Sequence, residues 1–348
     1  MIVVVFAAVP EATAGECNGT AHAPILITSD AGFTAANGVI SGTGTPSDPY
    51  LIANLAIDDM SLGYALKVDN AAGTITKSFD VTCVSSNWKV STPSGGVVVW
   101  IVDVHTPTTV SRVLSNSGEL PNSTGIRLEG SNHILLNDDS FNKLGGDGIQ
   151  ILGSDHVTVV DTKSKAANNG LYIQDSHDII VGQTCSVGGG QGCDEFTYDD
   201  NHGLSIQDSY NVQVIDTMTS ADDSGGILLS GTGTYNVTMT GGEATANGPI
   251  CHSGTPSGHV SDTITGIAVT DGAYDITVHG YTMQANGDGG GGYFDLMNGG
   301  KGLYLNPCGG LVTLPKTPTG GANLDFRGNC FTYAYGFDPA PTPYCPTS

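Results

Sequence analysis

Hydrophobic residues alternate with polar residues in short runs along this chain, and a glycine precedes many of the runs. The clearest copies begin at Gly125, Gly148, Gly170 and Gly203, at intervals of 23, 22 and 33 residues. Each copy has an apolar-x-apolar triplet, a polar turn that contains serine, and a second apolar-x-apolar triplet. The longer last interval indicates an insertion of about half a coil. Looser copies begin at Gly226, Gly266 and Gly302.

A period near 22 residues with short alternating strands is typical of a solenoid. A helix is disfavoured, because the apolar spacing is two and each repeated glycine would weaken a helix by ~1 kcal/mol. The Leu-x-x-Leu-x-Leu frame of leucine-rich repeats is absent. We therefore predict an all-β fold, a right-handed parallel β-helix with loop insertions and a C-terminal cap. Alternation within Gly148–Val159 predicts Gln150 and Thr158 outside and four residues inside, Ile149, Ile151, Val157 and Val159.

The same pattern divides the chain into four parts. Residues 16–120 form N-terminal coils, residues 121–320 form regular coils, and residues 321–348 form an aromatic cap with a Pro-rich tail. Residues 1–15 are either the remnant of a secretory signal, cleaved after Ala14, or a strand that caps the helix or is donated to a neighbouring subunit. The coils are interrupted by three polar loops, predicted at Gly182–Asn201, Asn247–Thr265 and Asn286–Lys301.

The charge of the chain limits its partners. It has 34 acidic and 11 basic residues and a net charge of −23. Such a surface repels nucleic acid, anionic membranes and acidic polysaccharides. After the N-terminus no apolar run reaches 18 residues, so we predict no membrane span in the mature chain. The excess of carboxylates indicates a solubilising surface, with calcium binding as the alternative.

The eight cysteines are even in number, and none forms a Cys-x-x-Cys pair. Zinc is therefore disfavoured, and disulfides in an oxidising, extracytoplasmic compartment are favoured. We predict that Cys185 pairs with Cys193 across a glycine-rich loop and that Cys330 pairs with Cys345 in the tail. The other pairings stay open.

The block Asn37–Ile52 reads NGVISGTGTPSDPYLI. This block resembles the start of NosD-like β-helix proteins, especially secreted archaeal surface proteins. With the later repeats, the resemblance extends from about Ile25 to Val312, although only the first block is close. It implies the fold and an exported location, and it implies little about chemistry.

Enzymes built on such coils need carboxylates and cations on the outside of one sheet. The repeats predict an outward row on the first strand of each coil that holds one cation and no carboxylate pair. Its members are Arg127, Gln150, Tyr172, Ser205, Leu228, Ala268 and Tyr304. The outward row on the second strand holds no cation and no carboxylate pair. Its members are Leu135, Thr158, Ile180, Gln213, Thr238 and Thr277.

The stretch Cys193–Gly203 is the remaining candidate for catalysis or calcium binding. We interpret it as a solvated loop, because clustered carboxylates are usually exposed. The alternatives are a catalytic site or calcium ligands. The catalytic candidates are Asp194, Glu195, Asp199, Asp200 and His202. The four carboxylates among them, Asp194, Glu195, Asp199 and Asp200, are the calcium candidates. No other cofactor is predicted.

A tryptophan, three histidines and three asparagines elsewhere in the chain are further candidates for binding or modification. Trp100 is interpreted as a core or interface residue, with a sugar platform as the alternative. His133, His156 and His177 recur in the polar turn and are interpreted as a turn ladder rather than a metal row. Three N-x-Ser/Thr sequons permit glycosylation, at Asn18, Asn122 and Asn236.

The neutral row on the second strand suits lateral packing on an otherwise acidic molecule. The alternative is an ordinary solvated sheet rich in threonine. Our first hypothesis is a non-catalytic, secreted surface protein that assembles with copies of itself into a filament, sheath or adhesive layer. The alternatives are a carbohydrate-active enzyme and a module that binds neutral glycans without turnover.

Overall fold

Short parallel strands wind into the stacked coils of a right-handed β-helix, as the repeat predicts. A computed structural model describes residues 17, 19–87, 96–165, 167–183, 193–197, 199, 201–220, 225–245, 265–279, 282–284, 294–296 and 330–332. Within those residues each full coil contributes one strand to each of three walls. The strands are numbered β1 to β28 in chain order.

The first wall is a ten-stranded parallel sheet. Its strands are β2 (Ile25–Ile27), β5 (Tyr64–Asp69), β7 (Val97–Val102), β9 (Thr124–Glu129), β12 (Ile149–Leu152), β15 (Leu171–Gln174), β18 (His202–Gln207), β21 (Gly225–Ser230), β24 (Thr265–Thr270) and β27 (Phe294–Leu296).

The second and third walls share one sheet, because the long strands of the first coils bend from one wall into the other. These long strands are β4 (Tyr50–Ala56), β6 (Phe79–Ser86) and β8 (Thr108–Pro121). The second wall continues with β10 (Asn132–Asn137), β13 (Asp155–Val160), β16 (His177–Val181), β19 (Tyr210–Ile215), β22 (Tyr235–Thr240) and β25 (Tyr274–His279). The third wall contains β11 (Ser140–Gly145), β14 (Lys163–Lys165), β17 (Glu195–Thr197), β20 (Met218–Ser220), β23 (Glu243–Thr245), β26 (Thr282–Gln284) and β28 (Cys330–Thr332).

The core is a column of aliphatic side chains that stack in register from coil to coil. Ile126, Ile149 and Leu171 occupy one row of the first wall, and all three are fully buried. The predicted inward set of the coil at Gly148 is confirmed, because all four of its members have no exposed surface. Parallel strands in register place like residues above one another, so the apolar repeat becomes a continuous interior.

The repeated glycines are required by the close approach of the third wall to the first. A Cβ atom at Gly125 would lie within 3.0 Å of the Phe141 ring, and one at Gly148 would lie equally close to Ser164. At Gly170 the obstructing groups are the side chains of Phe196 and Asp199 and the carbonyl of Gly203. A larger residue would therefore force the two walls apart.

The serine of each polar turn points into the helix and stabilises the turn of the preceding coil. The backbone N–H of Ser131 donates to Ser154 Oγ at 3.1 Å, and that of Ser154 donates to Ser176 Oγ at 3.1 Å. Ser209 continues the ladder, and all four serines are buried. Each hydroxyl satisfies a backbone donor that would otherwise be buried without a partner.

The corners between the second and third walls use a left-handed backbone conformation. The residues there with φ between 46° and 58° are Asn54, Cys83, Arg112, Asp138, Asp161 and Asp216. Asparagine and aspartate adopt this conformation more readily than other non-glycine residues. Some of the aspartates that make the chain acidic therefore occupy turn positions that need this backbone conformation.

The Asn37–Ile52 block lies near the N-terminal end of the β-helix. Two short 3-10 helices, Asp30–Gly32 and Ala35–Asn37, lead into β3 (Val39–Ser41), which pairs antiparallel with β4. Between these helices, the Phe33 ring lies 5.1 Å from the Tyr50 ring and 5.2 Å from the Phe79 ring. The strand β1 (Thr20–Ala21) pairs in parallel with β4.

A disulfide joins Cys17 to Cys83 across 66 residues, a pairing that the sequence analysis left open. Cys193 is also disulfide-bonded. Its predicted partner Cys185 lies outside the described residues, as does Cys345, so both predicted pairings stay predictions.

Two predictions near the chain ends can be compared with the structure only where residues are described. Residues 1–15 lie outside the described part of the chain. Of the predicted cap at 321–348, the strand Cys330–Thr332 is described, and it pairs in parallel with β26. Ala268 pairs with Asp295. Tyr304 lies outside the described residues, so its place in the outward row stays a prediction. The predicted loop over Asn286–Lys301 was wrong at Phe294–Leu296, which is the strand β27. This additional strand precedes Gly302 and takes the next position in the first wall.

Candidate functional site

The acidic stretch after Cys193 belongs to the coil and does not form one long loop. The prediction of a loop over Gly182–Asn201 was wrong at its C-terminal end, because Glu195–Thr197 is the strand β17. This strand pairs with β14 below it and with β20 above it. Phe196 occupies the same buried column as Phe141. That match of aromatic residues was the sequence signal that could have identified the strand.

Asp194 and Asp199 are both fully buried and accept hydrogen bonds from backbone groups. Asp194 Oδ1 accepts from the Thr162 N–H at 2.7 Å, and Asp199 Oδ1 accepts from the Ala167 N–H at 2.9 Å. The prediction that these carboxylates are solvated was therefore wrong. Their side chains are turned inward by the corner and stabilise the coil beneath.

Burial changes the titration of this corner. Desolvation raises the pKa of Asp194 to about 7, although the Thr162 N–H favours the charged form. Asp139 accepts a hydrogen bond from the Val113 N–H at 2.8 Å, and its burial raises its pKa well above the usual range. Two acids inside the same corner thus hold protons more tightly than surface carboxylates.

The remaining candidates of this stretch do not converge with Asp194. Glu195 forms an ion pair with Lys163 at 3.2 Å on the outside of the third wall. His202 begins β18, and burial lowers its pKa to about 4, so the ring is neutral at neutral pH. Asp200 lies outside the described residues. In the part of the chain that the structure describes, no group of three or more His, Cys, Asp or Glu side chains is arranged to hold a metal ion.

The six residues predicted to form a neutral row lie on consecutive strands of the second wall in direct register. Leu135 pairs with Thr158, and Thr158 pairs with Ile180. The row then continues through Gln213, Thr238 and Thr277. We call these six residues the second-wall strip. Ile180 is 36% exposed, and Gln213 and Thr238 are also exposed, so the strip faces outward.

A stack of aromatic rings runs beside the strip, and most of it was not predicted from the repeat pattern. The His177 ring lies 4.9 Å from the Tyr210 ring, which lies 4.9 Å from Tyr235, and Tyr235 lies 5.2 Å from Tyr274. His133 and His156 stack on one another in the adjacent row. The recurrence of histidine in this turn was a visible signal, but the substitution of tyrosine for histidine in later coils concealed the continuity. Because the rings cover one another's faces, they present their edges to solvent.

Trp100 lies on the outside of the first wall and not in the core. Lys67 Nζ lies 4.0 Å from the Trp100 ring centroid, and the Arg127 guanidinium carbon lies 5.3 Å from it. The two cations come from the coils on either side. Each has a carboxylate partner on its own strand, Asp69 at 2.8 Å from Lys67 and Glu129 beside Arg127. Of the interpretation of Trp100 as a core or interface residue, the core part was therefore wrong, and the interface part stays a prediction.

Amide side chains and a tyrosine extend this outward surface along the first wall. The Tyr172 hydroxyl lies 3.0 Å from Gln174 Oε1 and 2.8 Å from Gln207 Oε1. Gln150 donates to Asp147 Oδ2 at 2.7 Å. Burial, together with the nearby charges of Asp147 and other carboxylates, raises the pKa of Tyr172. We call Trp100, Gln150, Tyr172, Gln174 and Gln207 the first-wall surface.

Two of the three sequons fall within the described part of the chain. Asn122 is exposed at the turn between β8 and β9, and Asn236 is exposed at the start of β22. Asn18 lies outside the described residues.

The walls, the inward serine ladder and the outward polar rows define a β-helix that presents two extended lateral surfaces. A model of the right-handed β-helix region matches residues 95–283, which is more than half of the chain. The chain therefore belongs to the right-handed β-helix family. No curated protein matches it by sequence.

Two solved structures show similarity to this chain. One is the A-module of the mannuronan C-5 epimerase AlgE6 of Azotobacter vinelandii, with a TM-score of 0.33 and 13% identity over 94% of this chain and 88% of that one. The other is the Dettilon tailspike protein, with a TM-score of 0.29 and 11% identity over 71% of this chain and 61% of that one. Among the described residues, no helix is long and apolar enough to cross a membrane.

Proposed function

We propose that this protein is a non-catalytic, secreted surface protein whose rigid β-helix associates laterally with copies of itself through the second-wall strip. The supporting observation is the register of the strip, which aligns six uncharged side chains along one wall of a chain with a net charge of −23. Like-charged copies repel one another wherever acidic surfaces meet. A neutral, flat row is where that repulsion is smallest.

The role of the acidic stretch favours a structural protein over an enzyme. Asp194 and Asp199 hold backbone amides inside the coil, so their carboxylates are already engaged in the fold. A general acid or base has to reach a substrate atom, and buried, inward-turned carboxylates do not meet that requirement. The disulfide between Cys17 and Cys83 supports an oxidising compartment, in agreement with secretion.

The test is the oligomeric state of the full chain, produced in a host that does not perform N-glycosylation and measured by sedimentation velocity over a concentration series and by electron microscopy. We expect the wild type to form laterally associated assemblies. Ile180→Glu places a carboxylate in the middle of the strip and should leave monomers. Ser140→Glu adds the same charge at an exposed position on the third wall and should assemble like the wild type. A wild-type chain that stays monomeric, or equal assembly by both variants, contradicts the proposal.

A second candidate function, binding of a neutral glycan without turnover, is favoured by the first-wall surface. Trp100 Nε1 and Gln150 Oε1 are buried atoms without a hydrogen-bond partner, and they lie on either side of Arg127 in one row. Sugar hydroxyls both donate and accept hydrogen bonds, and planar amide, indole and guanidinium groups recognise them. Titration calorimetry with neutral oligosaccharides tests this candidate. Trp100→Leu should abolish binding, while Ile180→Glu should leave it unchanged.

A further inference from the structure

We propose that Asn236 is an N-glycosylation site and that a glycan there blocks association through the second-wall strip. This inference rests on the proposed function, because it concerns the regulation of the same surface. Asn236, Val237 and Thr238 form a sequon, and Thr238 is itself a member of the strip. The acceptor and the assembly surface are therefore two residues apart.

The geometry of β22 places both residues on the outside of the coil. Val237 is fully buried, so its neighbours Asn236 and Thr238 face outward, and both are exposed. Asn236 Nδ2 donates to Asn211 Oδ1 at 2.7 Å, which directs the amide along the second wall towards the preceding coil. The acceptor nitrogen thus lies in the row directly beside Gln213 and Thr238.

Glycosylation forms a bond between Asn236 Nδ2 and the anomeric carbon of an activated glycan donor. The amide loses one proton, and the phosphate leaving group of the donor departs with the bonding electron pair. One N–H remains on the nitrogen. An N-linked glycan is bulky and hydrated, so it would cover the strip at its own coil and hold a second copy away.

Asn122 provides a contrast within the same chain. It is exposed at the turn between the third and the first wall, and its sequon residues Ser123 and Thr124 are buried. A glycan at Asn122 would project from a corner that does not include the strip. Occupancy of Asn122 should therefore be compatible with association, whereas occupancy of Asn236 should not.

The experiment expresses the full chain in a secreting host that performs N-glycosylation. Assembled and monomeric fractions are separated by sedimentation, and the occupancy of each sequon is measured by peptide mass spectrometry. We expect glycan on Asn236 in the monomers and none in the assemblies, with Asn122 equally occupied in both fractions. Thr238→Val destroys the sequon but keeps a β-branched side chain, so it should shift the monomers into the assembled fraction. Thr238→Ser keeps the sequon and should behave like the wild type.

The outcomes separate this inference from the proposed function. Equal occupancy of Asn236 in both fractions overturns the inference while self-association stands. An unmodified Asn236 beside a modified Asn122 also overturns it. If Thr238→Val, Asn236→Gln and the wild type all remain monomeric although Asn236 is occupied in the wild type, the proposed self-association fails and the blocking role fails with it.

Discussion

The carboxylate of Asp194 and the backbone N–H of Thr162 meet inside the β-helix, with 2.7 Å between Oδ1 and the nitrogen. The acid belongs to one coil and the amide to the coil below. Asp139 makes the same type of contact with Val113 at 2.8 Å. A carboxylate that its acidic neighbours led us to predict as exposed is therefore part of the contact between successive coils.

The pH dependence of stability should report the buried acid at Asp194. Its folded pKa of about 7 lies above the ordinary value of 3.8 for an aspartate. Between these values the unfolded chain has released the proton and the folded chain retains it, so stability falls as pH rises, on the order of 1 kcal/mol per pH unit for this group. Asp194→Asn cannot ionise and should remove that dependence. Chemical denaturation at pH 4, 5, 6 and 7 measures it.

Glu243→Gln is the matched control for this series, because it removes one carboxylate from an exposed position on the same wall. It should keep the slope of the wild type. Identical slopes for Asp194→Asn and the wild type would show that Asp194 is not a buried, protonated acid.

Asp199 should matter for stability through the amide that it accepts. Asp199→Ala leaves the buried Ala167 N–H without its acceptor, which we expect to cost roughly 1–3 kcal/mol in the free energy of unfolding. Asp199→Asn keeps an acceptor oxygen and should lose less. Urea unfolding followed by circular dichroism distinguishes the two variants. Equal loss in both would mean that the charge, and not the hydrogen bond, is what the site requires.

The repeated glycine should be intolerant of any side chain. Gly148→Ala places a methyl group against Ser164 and the Gly170 carbonyl, and we expect destabilisation of about 1–3 kcal/mol or more. Gly153 has a left-handed φ of 55° but no atom within 4 Å of a Cβ position. Gly153→Asn should therefore be nearly neutral, since asparagine accepts that conformation. Melting temperatures of the two variants should differ, and similar values would contradict the packing argument.

The disulfide between Cys17 and Cys83 should stabilise the N-terminal coils. Removing it should lower the free energy of unfolding by roughly 2–4 kcal/mol, because the bond restricts the unfolded chain across 66 residues. Cys83 has a left-handed φ of 55°, and Asn54 takes the equivalent corner position one coil earlier. Cys17→Ser with Cys83→Asn therefore removes the bond without straining the corner. Unchanged stability of this variant under oxidising conditions would contradict the prediction.

The architecture and much of the register could be predicted from the repeat alone. The inward set Ile149, Ile151, Val157 and Val159 follows from alternation, and so does the order of the second-wall strip. The extra strand β27 was missed, because the Gly- and Asp-rich stretch around it conceals the apolar pattern. The strand β17 was missed because an insertion before Cys193 places this strand farther from the repeated glycine, Gly170, than in the other coils.

The period, the alternation and the acidic charge can be read from the residues alone, because these properties depend on local spacing and composition. The environment of an individual polar residue depends on how the coils stack. Whether Asp194 faces water or the core depends on the corner that turns it inward, and the cover over the Trp100 ring comes from Lys67 and Arg127 in neighbouring coils. Those contacts join residues about 30 positions apart, so their distances and burial arise only when the coils stack.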